Sequence, residues 1–120
     1  MDTNAILYYL ADKNIASVKA EFVISFITEI EVLSYPNLTE QEEEKIREFL
    51  RNVYIVNVNN DIKNLTVNFR KRYGLKLPDA MICASACFLK LPLITNDKQM
   101  FRVSECSIFT YSEFKERYTL

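Results

Sequence analysis

Residues 77–97 read Leu77-Pro78-Asp79-Ala80-Met81-Ile82-Cys83-Ala84-Ser85-Ala86-Cys87-Phe88-Leu89-Lys90-Leu91-Pro92-Leu93-Ile94-Thr95-Asn96-Asp97. Pro78 suits the first turn of a helix, where its missing N–H would have had no intrahelical partner. The run from Asp79 to Leu89 is apolar nearly all round, which predicts a helix buried between other elements. Pro92-Leu-Ile-Thr then reads as a short apolar strand ending in Asn96-Asp97. A buried helix that leads into a buried strand points to a parallel βαβ unit.

The same alternation extends in both directions. Ile6, Leu7, Leu10 and Ala11 fall at helical spacing over residues 3–12, with Thr3 or Asn4 available as N-cap. Phe22, Val23 and Ile24 form a buried strand, after which Ser25 caps a helix with Phe26, Ile27, Ile30 and Leu33 on one face. Thr39 with Glu42 makes a capping box that opens a helix from Glu40 to Arg51. Val53 to Val58 alternates as a strand, and Asn59 or Asn60 caps a helix carrying Ile62, Leu65, Phe69 and Tyr73. Gly74, the single glycine, falls where a left-handed C-terminal cap belongs. Cys106 to Thr110 reads as a last strand, and Ser112 as the cap of a helix through Tyr118. These elements predict one domain over residues 1–120, with right-handed crossovers between parallel strands.

The bulk properties narrow the function. The chain has 120 residues, 49% of them hydrophobic, so it can bury a core without disulfides or metals as staples. A net charge of −1 argues against gripping nucleic acid chiefly through a basic surface, but leaves room for an enzyme that meets it briefly. The opening MDTNAILYYLADK lacks the basic flank and long apolar run of a signal peptide, and no stretch approaches the ~20 apolar residues of a membrane span. With three cysteines and no such leader, the expected compartment is the cytoplasm. Cys83 and Cys87 lie four apart on one helix face. As two ligands without further Cys or His partners, they read as small buried hydrophobes. Phe69, Tyr73, Phe88 and Phe101 likewise read as core. Arg70, Lys71, Arg72 and Lys76, with Lys98 and Arg102, are able to hold phosphates, but also fit as solvated helix ends.

Four acidic residues stand at places of a different kind. In parallel α/β sheets, ligands bind beyond the carboxyl ends of the strands, where the next helices begin. Asp97 follows a strand, Asp79 sits in the first turn of the buried helix, and Asp2 precedes the first helix. The helix after residues 22–24 offers Glu29 and Glu31, which at about 100° per residue flank its apolar face on opposite sides. Geometry on the wheel does not choose between them. Each residue also has an ordinary role open to it: Asp2 and Asp79 as caps, Asp97 as a turn residue, Glu31 as a solvated position.

Asp2-Thr-Asn4, Ser25-x-x-Thr28-x-x-Glu31, Leu77-Pro-Asp79-Ala-Met-Ile-Cys-Ala-Ser-Ala and Leu93-Ile-Thr-Asn-Asp97, taken in order, resemble the PIN-domain family. Within it, the likeness is to the small VapC-type toxin ribonucleases, and it extends over essentially the whole chain. The resemblance implies a three-layer α/β/α fold with a short, mainly parallel sheet. It also implies that Asp2, Glu31, Asp79 and Asp97 are the catalytic, metal-binding carboxylates, with Asn4 and Thr95 in support. It chooses Glu31 over Glu29. The implied chemistry is hydrolysis of RNA with Mg²⁺ or Mn²⁺, hard ions that prefer oxygen ligands. The chain has no histidine, so the usual histidine-based ribonuclease chemistry is excluded. A small antitoxin protein and a homodimer are the implied partners. An RNA-processing nuclease without an antitoxin and an inactive binding module are the alternatives.

One departure is physical. Family members usually have a short apolar strand ahead of the first aspartate, central in the sheet, whereas here Asp2 follows Met1 directly. The flanking strands are then expected to face each other with unpaired edges. Upstream residues, another segment or a partner chain would have to fill that place, and upstream residues are the expected answer.

Overall fold

The computed structural model describes residues 1–13 and 21–118. In order, its elements are α1 (Thr3–Ala11), β1 (Val23–Ser25), α2 (Phe26–Leu33), α3 (Glu40–Arg51), β2 (Tyr54–Val56), α4 (Asn60–Tyr73), α5 (Leu77–Leu89), β3 (Leu93–Ile94), a 3₁₀ turn (Met100–Arg102), β4 (Ile108–Phe109) and α6 (Tyr111–Tyr118).

Local chemistry accounts for most boundaries. Ser25 accepts from the Ile27 amide, and Thr39 and Glu42 exchange both bonds of a capping box. Asn59 accepts from the Ile62 amide at 2.8 Å, and Gly74 closes α4 in the left-handed region at φ 65°. Two expected caps are corrected. Asp2, not Thr3 or Asn4, is the N-cap of α1, with its Oδ1 accepting from the Ala5 amide at 2.9 Å. Thr110, not Ser112, starts α6: its hydroxyl accepts from the Glu113 amide at 3.1 Å, and Glu113 accepts from the Thr110 amide at 3.0 Å. The sequence Thr110-Tyr-Ser-Glu113 carries that capping-box signal, two residues upstream of the expected one.

The strands are sandwiched between helices. Consecutive strand residues point to opposite faces, and here they feed two separate apolar clusters. Ile24, Ile55, Ile94 and Phe109 join α1, α3 and α6 through Ile6, Ile46, Phe49 and Phe114. Val56, Leu93 and Ile108 join α4 and α5 through Ile62, Phe69, Ala80 and Cys83. The result is the three-layer arrangement expected. Phe88 and Phe101 correct the expected core: both are exposed, while Phe69 is sealed.

The sheet itself is split. β1 pairs in parallel with β2, and β3 in parallel with β4, as two separate two-stranded ladders. Between β1 and β3 lies a gap, lined on one side by Val23, Ile24, Ser25, Leu91, Pro92 and Leu93. It opens on the other side between Phe22, Val23, Pro92 and Ile94. Met1 lines both openings. This is where the expected central strand would lie. The Asp2 amide already makes the first rung of a ladder there, donating to the Ile94 carbonyl at 3.1 Å. Met1 is buried, and burial lowers its terminal amine to about 6 despite the attraction of Asp2.

Candidate active site

The ends of β1 and β3 and the starts of α1 and α5 meet on one side of the sheet, as parallel topology dictates. Asp2, Thr3, Asn4, Glu31, Ser34, Tyr35, Pro36, Asp79, Ile82 and Asp97 line a cleft of about 340 Å³ there. All four acidic residues singled out in the sequence therefore share one cavity, and Asn4 stands exposed at its rim.

Asp2 is the most firmly held. It is 6% exposed, and its Oδ1 caps α1. Its Oδ2 accepts a hydrogen bond from the hydroxyl of Thr95, which is fully buried. The same Thr95 oxygen accepts from the Asp97 amide at 3.0 Å, so one hydroxyl ties the first carboxylate to the backbone of the last. Asp97 then uses Oδ1 to accept from the Gln99 amide at 2.9 Å, the turn role anticipated for it. A carboxylate oxygen has two lone pairs, so these bonds orient both aspartates while leaving them able to face a cation.

Glu31 is fixed from another helix. The Thr3 hydroxyl donates to its Oε1 at 2.6 Å. This is the contact that distinguishes Glu31 from Glu29, and Thr3 is the site residue that sequence reasoning treated only as a possible cap. Its position beside Asp2 was the available signal. One turn earlier on α2, Thr28 is fully buried, and its hydroxyl has no hydrogen-bond partner among the described residues.

Asp79 lies in the first turn of α5, whose N-cap is Lys76 with no side-chain capping bond. Its carboxyl is pushed above the ordinary value, first by burial and then by the negative charges of Asp97, Glu31 and Asp2, with Lys76 opposing. That mutual repulsion is what a cluster of carboxylates experiences until it takes up protons or cations. The sign fixes a prediction. Ionised Asp79 opposes folding above its raised folded value, and the penalty vanishes below the unfolded value of 3.8. In EDTA at pH 7, Asp79→Asn should therefore melt above the wild type. A thermal-melt series should show the difference closing as pH falls below 4 by roughly the unfolded carboxylate range. A lower melting temperature for Asp79→Asn at pH 7 would contradict the repulsion.

The basic residues divide. Arg72 pairs with Glu105 and stacks over the Tyr73 ring, and Arg102 donates to the Tyr73 carbonyl. These two serve the end of α4, as the alternative reading had it. Lys76 is the basic residue whose charge acts on Asp79.

The fold has counterparts among known proteins. A model of the PIN domain matches residues 1–105. Among solved structures, a chain of the toxin–antitoxin complex from Klebsiella pneumoniae is similar at a TM-score of 0.73 and 29% identity, covering 92% of this chain and 94% of that one. VapBC2 from Rickettsia felis, bound to a DNA fragment from its promoter, gives a TM-score of 0.73 and 19% identity over 91% and 95%. VapBC-1 from nontypeable Haemophilus influenzae gives 0.65 and 21% over 91% and 86%. None of the curated proteins matches the chain.

Proposed function

The chain belongs to the PIN-domain family, and from that premise we propose that it is a divalent-metal-dependent endoribonuclease, the toxin of a toxin–antitoxin pair. The observation that carries the proposal is the convergence of Asp2, Glu31, Asp79 and Asp97 on one cleft.

The donor set fits Mg²⁺ or Mn²⁺. Every side chain in question offers carboxylate oxygen, and Asp79 is held above its ordinary value by negative neighbours that a cation would neutralise. Among the described residues, no three acidic or sulfur side chains converge closely enough to grip one ion directly. An ion held by one or two carboxylates through a shell of waters meets that constraint, and Mg²⁺ favours this mode. When bound, it would supply a Lewis acid that polarises the phosphodiester and lowers the pKa of the attacking water.

The protein's part is positioning. One or two of Asp2, Asp79 and Asp97 would hold the cation directly, and the others, with Glu31, face the same cleft. Thr95 and Thr3 fix the rotamers of Asp2 and Glu31, and Asn4 reaches substrate or water at the rim. Lys76 offsets part of the negative field that would repel an incoming phosphate.

The toxin reading draws on the similarity to chains of toxin–antitoxin complexes. Apolar surface supports it. One cleft beside α3, of about 450 Å³, has an apolar lining of Leu7, Leu10, Ala11, Tyr35, Leu38 and Ile46, bordered by Lys13, Glu42 and Lys45. A second, of about 630 Å³, includes Tyr9, Leu10, Phe22, Phe49 and Val53. Such grooves suit the apolar face of an antitoxin segment, and a homodimer belongs to the same proposal. Among the described residues no helix is long and apolar enough to cross a membrane, and the cytoplasm is the proposed compartment.

The test is cleavage of RNA by the purified chain with Mg²⁺, with Mn²⁺ and with EDTA. Cutting should require the ion and return when it is restored. Cutting that survives chelation would sink the metal mechanism, and RNA binding without cutting under either ion would support an inactive binding module.

A further inference from the structure

Three thiols gather on the side of α5 that packs against the segment leading into β4. The Cys106 thiol donates to the Cys83 carbonyl at 3.3 Å. Reciprocally, the Cys87 thiol donates to the Glu105 carbonyl, the peptide unit that carries the Cys106 amide, at 3.9 Å. Two crossed contacts thus lay Cys106 and Cys87 alongside one another. Their exposure differs from that of Cys83: Cys83 is sealed in the core, while Cys87 and Cys106 are only half-buried and open to small solutes. A pair reading as two buried hydrophobes on one helix is therefore a triad, completed by a cysteine distant in sequence.

We propose that Cys106 and Cys87 are a peroxide-reactive thiol pair that closes into a reversible disulfide, stapling the end of α5 to the segment ahead of β4. Cys106 is the attacking sulfur. Its thiol lies below the ordinary value because the Cys83 thiol donates to it, with burial opposing, and Cys87 is pushed up by burial. The thiolate is the nucleophile, so the lower thiol reacts first. In the first step, Cys106 sulfur attacks one peroxide oxygen and the O–O bond breaks. Cys106 becomes a sulfenic acid and the other oxygen leaves as water after taking a proton. In the second, Cys87 sulfur attacks the sulfenic sulfur, the S–O bond breaks, and a second water carries off the hydroxyl and the Cys87 proton. Two thiols and one peroxide give one disulfide and two waters.

The staple has a defined mechanical consequence. The loop closed between residues 87 and 106 contains β3, Thr95 and Asp97, and its far end is already clamped to α4. Glu105 there accepts from Arg72, Tyr73 and Ser104. Cross-linking restricts the unfolded chain more than the folded one, so the oxidised form is the harder to melt.

Hydrogen peroxide applied to the full chain, followed by non-reducing digestion and mass spectrometry, tests the pair. The expected product is one cross-linked peptide joining Cys87 to Cys106, two hydrogens lighter than its parts and restored by dithiothreitol. It should come with a rise of several degrees in melting temperature. Cys87→Ser should stop at a Cys106 sulfenic acid trapped by dimedone, Cys106→Ser should form neither product, and Cys83→Ala should still close the bond, but more slowly because the thiol that donates to Cys106 is gone. A Cys83–Cys106 linkage, only intermolecular linkage, or no linkage at peroxide levels that label Cys106 with dimedone would each overturn the proposal.

Discussion

Asp79→Asn should cut RNA on the order of 10²–10³-fold more slowly than the wild type in Mg²⁺, the range seen when one preorganised electrostatic group is removed from a reaction centre. The folded protein should meanwhile be no less stable in EDTA. Asparagine keeps the shape of the side chain, and losing its charge relieves the repulsion from Asp97, Glu31 and Asp2. This opposition of rate and stability separates a site residue from a packing residue, because a packing residue loses both together. A paired comparison on α2 sharpens the test. Glu31→Gln should also lose most cleavage, since Glu31 lines the cleft and is held there by Thr3. Glu29→Gln, which leaves that cleft intact, should stay within about twofold, as surface changes away from special features usually do. The measurement is single-turnover cleavage of one labelled RNA by all four proteins. Equal loss at Glu29 and Glu31, or full rate for Asp79→Asn, would remove the carboxylate cleft as the site.

What the sequence disclosed and what it withheld follow one physical line. Thr39-x-x-Glu42, Asn59 and Gly74 were legible because a cap is decided within four residues of chain, and the structure finds each where its chemistry puts it. The same locality explains the misses. Asp2 caps α1 only because the chain enters that helix from beside β3, with the Asp2 amide on the Ile94 carbonyl, a contact 92 positions away in sequence by the numbering of its two partners. Phe88 continues an apolar run in sequence, yet falls outside the face of α5 that the sheet and α4 cover. Glu31 and Glu29 were symmetric on an isolated helix, and the asymmetry comes from Thr3 of another. Thr95 looked like a strand residue with a supporting hydroxyl. Its role in linking Asp2 to the Asp97 backbone exists only once β3 stands beside the N-terminus.

The split sheet carries the other large effect. Along β3, Leu93 and Thr95 donate their amides to Ser107 and Phe109 of the β4 side, so by alternation the Ile94 amide faces the gap. Along β1, Phe22 accepts from Tyr54 on the β2 side, which turns the Val23 amide to the gap as well. Two facing edges with an apolar lining are a template for one more strand. Fusing a short apolar β-forming segment, such as Val-Ile-Val, ahead of Met1 should therefore complete the sheet. Each buried side chain of that kind contributes ~1.5–3 kcal/mol, against ~1–2 kcal/mol of backbone entropy per ordered residue. A net gain of even 1–2 kcal/mol raises the melting temperature by roughly 4–16 °C. Amide exchange at Val23 and Ile94 should slow in the same protein, while a Gly-Ser-Gly extension of equal length should move neither quantity. If both extensions behave alike, the gap is not a strand site. If only the apolar one stabilises, Asp2 becomes the last residue of a paired central strand, and the carboxylate with the most elaborate hydrogen bonding also gains the backbone support that its place in the cleft requires.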